Sequence, residues 1–302
     1  MADFFHIKSI SEVNQIFGLG KPAHPLITII RQWPKNDFDF SSVKMTSDLY
    51  LLSMKGKTIG TSFKYGKNSY DFEEGTLVFM APNQVASFED PIEEIDDSGW
   101  NILFHPDLIR KSSLDETIKD FSFLNYEANE ALHVSEKEKQ FLKEMVDNIE
   151  IEMNQNIDKH SQDLIIHNIE TILKYSKRYY DRQFYTRTNV NKDIVGEFEK
   201  FLTTYFSSDE LTEKGIPSLT QCGEALNLSG SYLSDLLKIE TNRSAKDHIH
   251  SFIIEKAKTI LLNSSSSISE VAFGLGFNYP QHFSKLFKNK TGKSPSEYRI
   301  SN

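Results

Sequence analysis

The sequence predicts an α+β chain in three parts: a strand-rich β-barrel or jelly roll, a helical middle region, and an all-α C-terminal domain built on a duplicated two-helix unit. Three observations carry this expectation. The first 110 residues alternate β-branched and aromatic runs with Gly, Pro, Asn and Asp. Residues 135–185 change to apolar residues at helical spacing. A stretch beginning at Ser218 recurs 49 residues later. The expected parts are residues 1–125, 126–188 and 189–302, with the main boundary near Thr188 to Lys192.

A length of 302 residues exceeds one typical core and favours more than one domain. Hydrophobic residues at 38% and charged residues at 25% are ordinary for a globular chain and exclude global disorder. The single cysteine, Cys222, excludes an intramolecular disulfide framework and a zinc–thiolate cluster. Asp3 stands where a signal peptide would carry positive charge, and no apolar run approaches the roughly 18 residues of a membrane span. The expectation is therefore a cytoplasmic protein with no membrane partner.

In the first part the strand-like runs are HPLITIIRQW, SDLYLLSMKG, GTSFKYG, SYDFEEGTLVFMAP and GWNILFH. Tyr50, Phe63, Tyr65, Phe79 and Trp100 can line a pocket suited to stacking on a ring, and aromatic residues of a small barrel equally well form its core. In the middle, Phe141, Met145, Ile149 and Met153, then Leu164, Ile165, Ile169, Ile172 and Leu173, mark two amphipathic helices. Their apolar faces have two readings, a cover for the barrel or the seam of a homodimer. IVGEFEKFLTTYF then reads as a helix, and GIPSLT opens the C-terminal unit.

The duplication is the strongest signal. Ser218, Leu219, Gly223, Asn227 and Leu228 pair with Ser267, Ile268, Ala272, Gly276 and Phe277, each 49 residues later; Leu233, Leu237 and Lys238 pair with Phe283, Phe287 and Lys288, 50 later, so one residue is inserted between. Each copy has the grammar of a helix-turn-helix. Ser218 with Gln221, and Ser267 with Glu270, make capping boxes. Gly223 and Ala272 let two helices approach, and Asn227 and Gly276 suit a left-handed turn residue. Between the copies, Ile249, Phe252, Ile253, Ala257, Ile260 and Leu261 share one face of a long helix that would hold the units at fixed separation. Ser294, Pro295 and Glu297 suit N-cap, N1 and N3 of a closing helix.

Charge follows the same division. The whole chain carries −9, but from Ile216 to Asn302 there are 10 Lys+Arg against 7 Asp+Glu, leaving 24 against 36 for residues 1–215. Because a nucleic-acid footprint is local, the net-positive C-terminal part is compatible with DNA.

The segment ISEVAFGLGFNYPQHFSKLFKNKTGKSPSEYR resembles the signature of the AraC/XylS family of transcription regulators, and the similarity reaches back through YLSDLLK to about Pro217. HPLITII, YDFEEGTLVFMAPNQV and GWNILFHPDLI also resemble the sensory half of a subgroup of that family. The resemblance implies a cupin-like N-terminal barrel that senses a small-molecule effector, dimerising middle helices and a double helix-turn-helix. It implies as partners double-stranded DNA, a second copy of the chain and, for an activator, RNA polymerase. No cofactor is expected.

Carried over by position, the first recognition helix falls on Ser231 to Lys238, with Ser231, Tyr232, Ser234 and Asp235 as DNA-binding candidates. The second falls on Tyr279 to Lys288, with Pro280, Gln281, His282 and Lys285 at the matching places and Asn278 and Tyr279 as further candidates. Gln can pair bidentately with adenine, and Lys can donate to guanine O6 or N7. Asp235 departs from the basic residue many members carry; a carboxylate accepts from cytosine N4 and repels phosphate. Lys238, Lys288 and Lys290, with the helix starts at Ser218 and Ser267, read as phosphate contacts that set register. Asn242 stands where the family usually has Gly, and Ile253 where an Arg is common in the linker.

Two other classes fit the sequence less well. A metal-dependent cupin enzyme needs converging His and carboxylate ligands, whereas His6, His24 and His105 are widely separated, and His248 and His250 lie two apart on a helix and point to different faces. A small-molecule-binding module with a non-functional helix-turn-helix would lack salt-dependent DNA binding. No phosphate loop, nucleophile elbow or dinucleotide fingerprint occurs, and Cys222, aligned with apolar Val271, reads as a buried thiol.

Overall fold

A computed structural model describes residues 4–31, 44–55, 64–65, 68–69, 75–87, 99–127, 130–155, 158, 160–186 and 188–301. The chain divides into two compact units, Met1–Gln183 and Phe184–Asn302.

In the first unit the strands are β1 Phe4–Ile7, β2 Ile27–Ile30, β3 Lys44–Ser47, β4 Tyr50–Lys55, β5 Lys64–Tyr65, β6 Asn68–Ser69, β7 Thr76–Met80, β8 Ala86–Ser87, β9 Trp100–Phe104 and β10 Leu132–His133. Its helices are α1 Ile10–Ile16, α2 Ser113–Thr117, α3 Glu136–Asn154 and α4, which runs Ser161–Thr186. The main sheet is antiparallel in the order β10-β7-β4-β9-β2; a second pairs β1-β3-β8, and β5 pairs with β6. Among the described residues no sheet closes on itself, so the strands expected from sequence form a mixed helix-and-sheet unit in which a closed barrel is not seen.

Strand pairing sorts the side chains by face, because partners directly opposite point the same way. Met54 lies between Leu77 and Trp100, and Leu52 between Phe79 and Ile102. This face meets aromatic neighbours: the Phe79 ring lies 4.7 Å from Phe123 and 6.3 Å from Tyr180 of α4. The opposite face carries Leu103 and Ile30 into a cluster with Ile7, Ile10, Val13, Phe17, Met45 and Leu49. There Ser53 Oγ donates to Asn101 Oδ1 at 2.7 Å, and Asn101 Nδ2 donates to the Ile30 carbonyl at 3.2 Å, so these buried polar groups are paired.

The predicted middle helices are present as α3 and α4. A capping box between Ser135 and Glu138 starts α3, which buries Leu142, Val146, Ile149 and Met153. In α4, Ile165, Ile169, Ile172 and Leu173 are buried, but Leu164 is 46% exposed. Leu164 lies in the first turn of α4, one residue before buried Ile165, on the solvent side of the stripe.

The second unit is helical: α5 Thr188–Tyr205, α6 Glu210–Lys214, α7 Leu219–Leu226, α8 Gly230–Thr241, α9 Ala245–Asn263, α10 Ile268–Gly274, α11 Pro280–Thr291 and α12 Pro295–Ser301. One core serves all of it, from Phe198 and Leu202 of α5 through Leu233, Leu237, Ile253 and Ala257 to Phe283 and Phe287. Among the described residues no helix is long and apolar enough to cross a membrane.

Candidate nucleic-acid interface

Both copies of the repeat start the same way. Ser218 Oγ accepts from the Gln221 N–H at 3.2 Å while Gln221 Oε1 accepts from the Ser218 N–H at 2.9 Å. In the second copy Ser267 Oγ accepts from the Glu270 N–H at 3.2 Å and Glu270 Oε2 from the Ser267 N–H at 2.7 Å. The hydrogen bond from the Ser267 backbone holds the Glu270 carboxyl below its ordinary value. The first helix start is therefore closed by a neutral amide, the second by a carboxylate.

The turns also match. Asn227 takes the left-handed conformation at φ 55° and Gly276 at φ 82°, as their residue types imply. The Leu228 N–H reaches the Gly223 carbonyl and the Phe277 N–H the Ala272 carbonyl, each at 3.0 Å. A Cβ on Gly223 would lie 2.4 Å from the Leu228 carbonyl oxygen and 2.8 Å from the Gly230 nitrogen, so the first turn has no room for a side chain.

The copies diverge where the inserted residue falls, at the start of the following helix. α8 is capped by Ser229, whose Oγ accepts from the Tyr232 N–H at 3.0 Å. α11 begins on Tyr279, which makes no side-chain cap bond, followed by Pro280 at N1. On α8 the buried residues are Tyr232, Leu233, Leu236 and Leu237; on α11 they are Phe283 and Phe287. At 3.6 residues per turn the remaining candidates fall on the side away from the core. Ser231, Ser234 and Asp235 are half-buried and Lys238 is exposed; Asn278, Tyr279, Gln281, His282, Lys285 and Lys288 are all exposed. Tyr232 stands apart from this outward group, 6% exposed with its ring 4.9 Å from that of Phe184. Ser267 is exposed, with its hydroxyl and N–H engaged by Glu270.

The long helix between the copies is α9, about 28 Å long at the usual rise per residue. It buries Ala245, Ile249, Ile253, Ile254, Ala257 and Leu261; Phe252 and Ile260 are half-buried at the edge of that face. Its first turn holds α11: Lys290 Nζ donates to Asp247 Oδ1 at 2.9 Å. The hydrogen bond from Lys290, then that from Ser244, brings the Asp247 carboxyl down to about 2. Lys290, read from sequence as a phosphate contact, is thus engaged within the fold. Asn242 caps α8 in the left-handed region, as Gly would, and Ser294 caps α12 with Glu297 in reciprocal hydrogen bonds.

Sequence reasoning missed Asn191. Its buried Nδ2 donates to the Phe184 carbonyl at 2.8 Å and to Glu240 Oε1 of α8 at 2.9 Å, bracing α8 from outside the repeat. Cys222 is fully buried, and burial pushes its thiol up to about 11, which leaves it protonated and inert.

Of the aromatic set in the first unit, Tyr50, Phe79 and Trp100 lie on one face of the main sheet; Phe79 and Trp100 are buried and Tyr50 stacks on Phe104 at 4.9 Å. Phe63 lies outside the described residues, and Tyr65 is described only as part of strand β5. Among the described residues no group of three or more His, Cys, Asp or Glu is placed to hold a metal.

Residues 222–301 match a family model described as a helix-turn-helix domain. Over 74 residues the chain is 42% identical to the Msm operon regulatory protein of Streptococcus mutans, covering 24% of this chain and 27% of that protein. Over 76 residues it is 41% identical to the raffinose operon transcriptional regulatory protein RafR of Pediococcus pentosaceus, covering 25% and 27%. A solved structure, the C-terminal domain of AraT, a response regulator from Geobacillus stearothermophilus, is 30% identical with a TM-score of 0.32, covering 36% of this chain and 85% of that one. The chain thus spans 27% of the length of each of these two curated relatives.

Proposed function

We propose, on the premise that the C-terminal region is an AraC-type helix-turn-helix domain, that this chain is a sequence-specific DNA-binding transcription regulator. In this reading α8 and α11 meet adjacent major-groove segments on one side of a duplex. The observation that carries it is the arrangement of α11, where Phe283 and Phe287 face the core while Gln281, His282, Lys285 and Lys288 are exposed together. With groove faces about 34 Å apart, the two helices held by α9 must match that repeat or bend the duplex.

Gln281 and Lys285 then read bases, and Lys238 and Lys288 bind phosphate. Ser231, Ser234 and Asp235 give the first helix a polar reading face with one acidic group and no cation. Ser218 is the better phosphate seat of the two caps, since Glu270 sets a carboxylate beside Ser267. Tyr232 supports α8 from its buried side rather than touching DNA.

Residues 1–125 serve in this reading as a cupin-like sensory domain and 126–188 as the helices that pair two copies. An effector would act by its different affinity for two arrangements of the chain, and an activating form would present a surface to RNA polymerase.

Selection of bound duplexes from a random pool at two salt concentrations tests the reading. Gln281→Ala and Lys285→Ala should change the recovered sequence; Lys238→Ala should weaken all sites alike and flatten the salt slope by about 1. Recovery of the parental sequence by all three variants, or binding indifferent to salt, overturns it.

A further inference from the structure

We infer that Tyr279 reads a thymine, its ring packing against the C5-methyl group at the edge of the segment met by Gln281 and Lys285. The inference rests on the DNA-reading role proposed for α11 and adds a base and a chemical contact to it.

The duplication supplies its own comparison. On α8 the aromatic flank residue is Tyr232, aligned with His282 fifty positions on; it is 6% exposed because Phe184 lies over it at 4.9 Å. On α11 the corresponding flank is open. Tyr279 is 57% exposed, and its ring partner among the described residues is His282, edge-on at 5.4 Å and itself exposed. The other aromatic of the same loop, Phe277, turns inward and meets Phe283 at 5.5 Å.

Nothing local accounts for a large ring at this position. An N-cap residue normally supplies an oxygen to the first turn, and Tyr279 makes no such bond. Pro280 fixes the backbone immediately after it, so the ring projects from a stiff point at the start of the helix that carries Gln281 and Lys285. A surface joining an amide, a cation and a rigid aromatic edge matches the major-groove edge of a duplex. There the amide and the cation have hydrogen-bonding partners, and thymine presents the one exposed methyl group. The methyl separates thymine from cytosine without a hydrogen bond, which an aromatic carbon surface can do and the neighbouring Gln and Lys cannot.

The test uses the full-length chain and the duplex it selects. Each thymine is replaced singly by deoxyuridine, which removes the methyl and keeps the pairing. One replacement should weaken binding about fourfold, the worth of one buried methyl group. Tyr279→Ala should bind the thymine and deoxyuridine duplexes equally, and Tyr279→Phe should keep the preference. Three results overturn the inference while leaving α11 a reader of DNA: no thymine whose methyl matters, a preference that survives Tyr279→Ala, or a preference lost in Tyr279→Phe. The last would assign the hydroxyl to a phosphate. Failure of the parent to select any sequence removes the DNA-reading role as well.

Discussion

Asp247 and Lys290 are 43 positions apart in sequence and 2.9 Å apart in the fold, joining the start of α9 to the end of α11. The carboxyl falls from 3.8 to about 2 on folding, so the folded state favours its ionised form. The contribution is therefore fully present above about pH 4 and is lost as pH falls through about 2. Asp247→Asn is expected to lower the melting temperature at pH 7 and to match the parent near pH 2; equal destabilisation at both values would dismiss the ion pair as its source. A sequence could not reveal this contact. Lys290 and Asp247 each look like solvated charges on their own helices, and only packing of α11 on α9 unites them. Asn191 escaped for the same reason, since no spacing rule links it to Glu240. By contrast Asn227, Asn242 and Gly276 were legible in advance, because a positive φ selects residue type locally.

The first turn depends on Gly223, whose Cβ would strike the backbone of Leu228, Ser229 and Gly230. Gly223→Ala should cost about 1 to 3 kcal/mol in a urea titration, although alanine is the better helix former. The second copy carries Ala272 at that place, fully buried, with five residues between its two helices where the first copy has three. An unchanged midpoint would mean that the turn relaxes freely. Helices of both units were legible because apolar periodicity and capping boxes lie close together in sequence. The strands were harder. β5, β6, β8 and β10 are two residues long, too short for alternation to register, and the pairing order β10-β7-β4-β9-β2 depends on contacts distant in sequence. The same aromatic residues that suggested a ligand wall, Phe79 and Trp100, are packed into the sheet's core face, a distinction composition alone does not make.

Both copies of the repeat draw on one hydrophobic interior, in which Leu233 of α8 and Phe283 of α11 belong to a single cluster. Leu233→Ala should cost about 2 to 5 kcal/mol and should speed amide exchange in α11 as well as α8. Acceleration confined to α8 would show that the copies open independently. A shared interior with its variable residues turned outward has a further consequence, for descent rather than stability. Gln281, His282, Lys285 and Lys288 touch little that holds the fold together. A duplicated gene could therefore exchange those few positions one by one, each intermediate on the way still a folded protein.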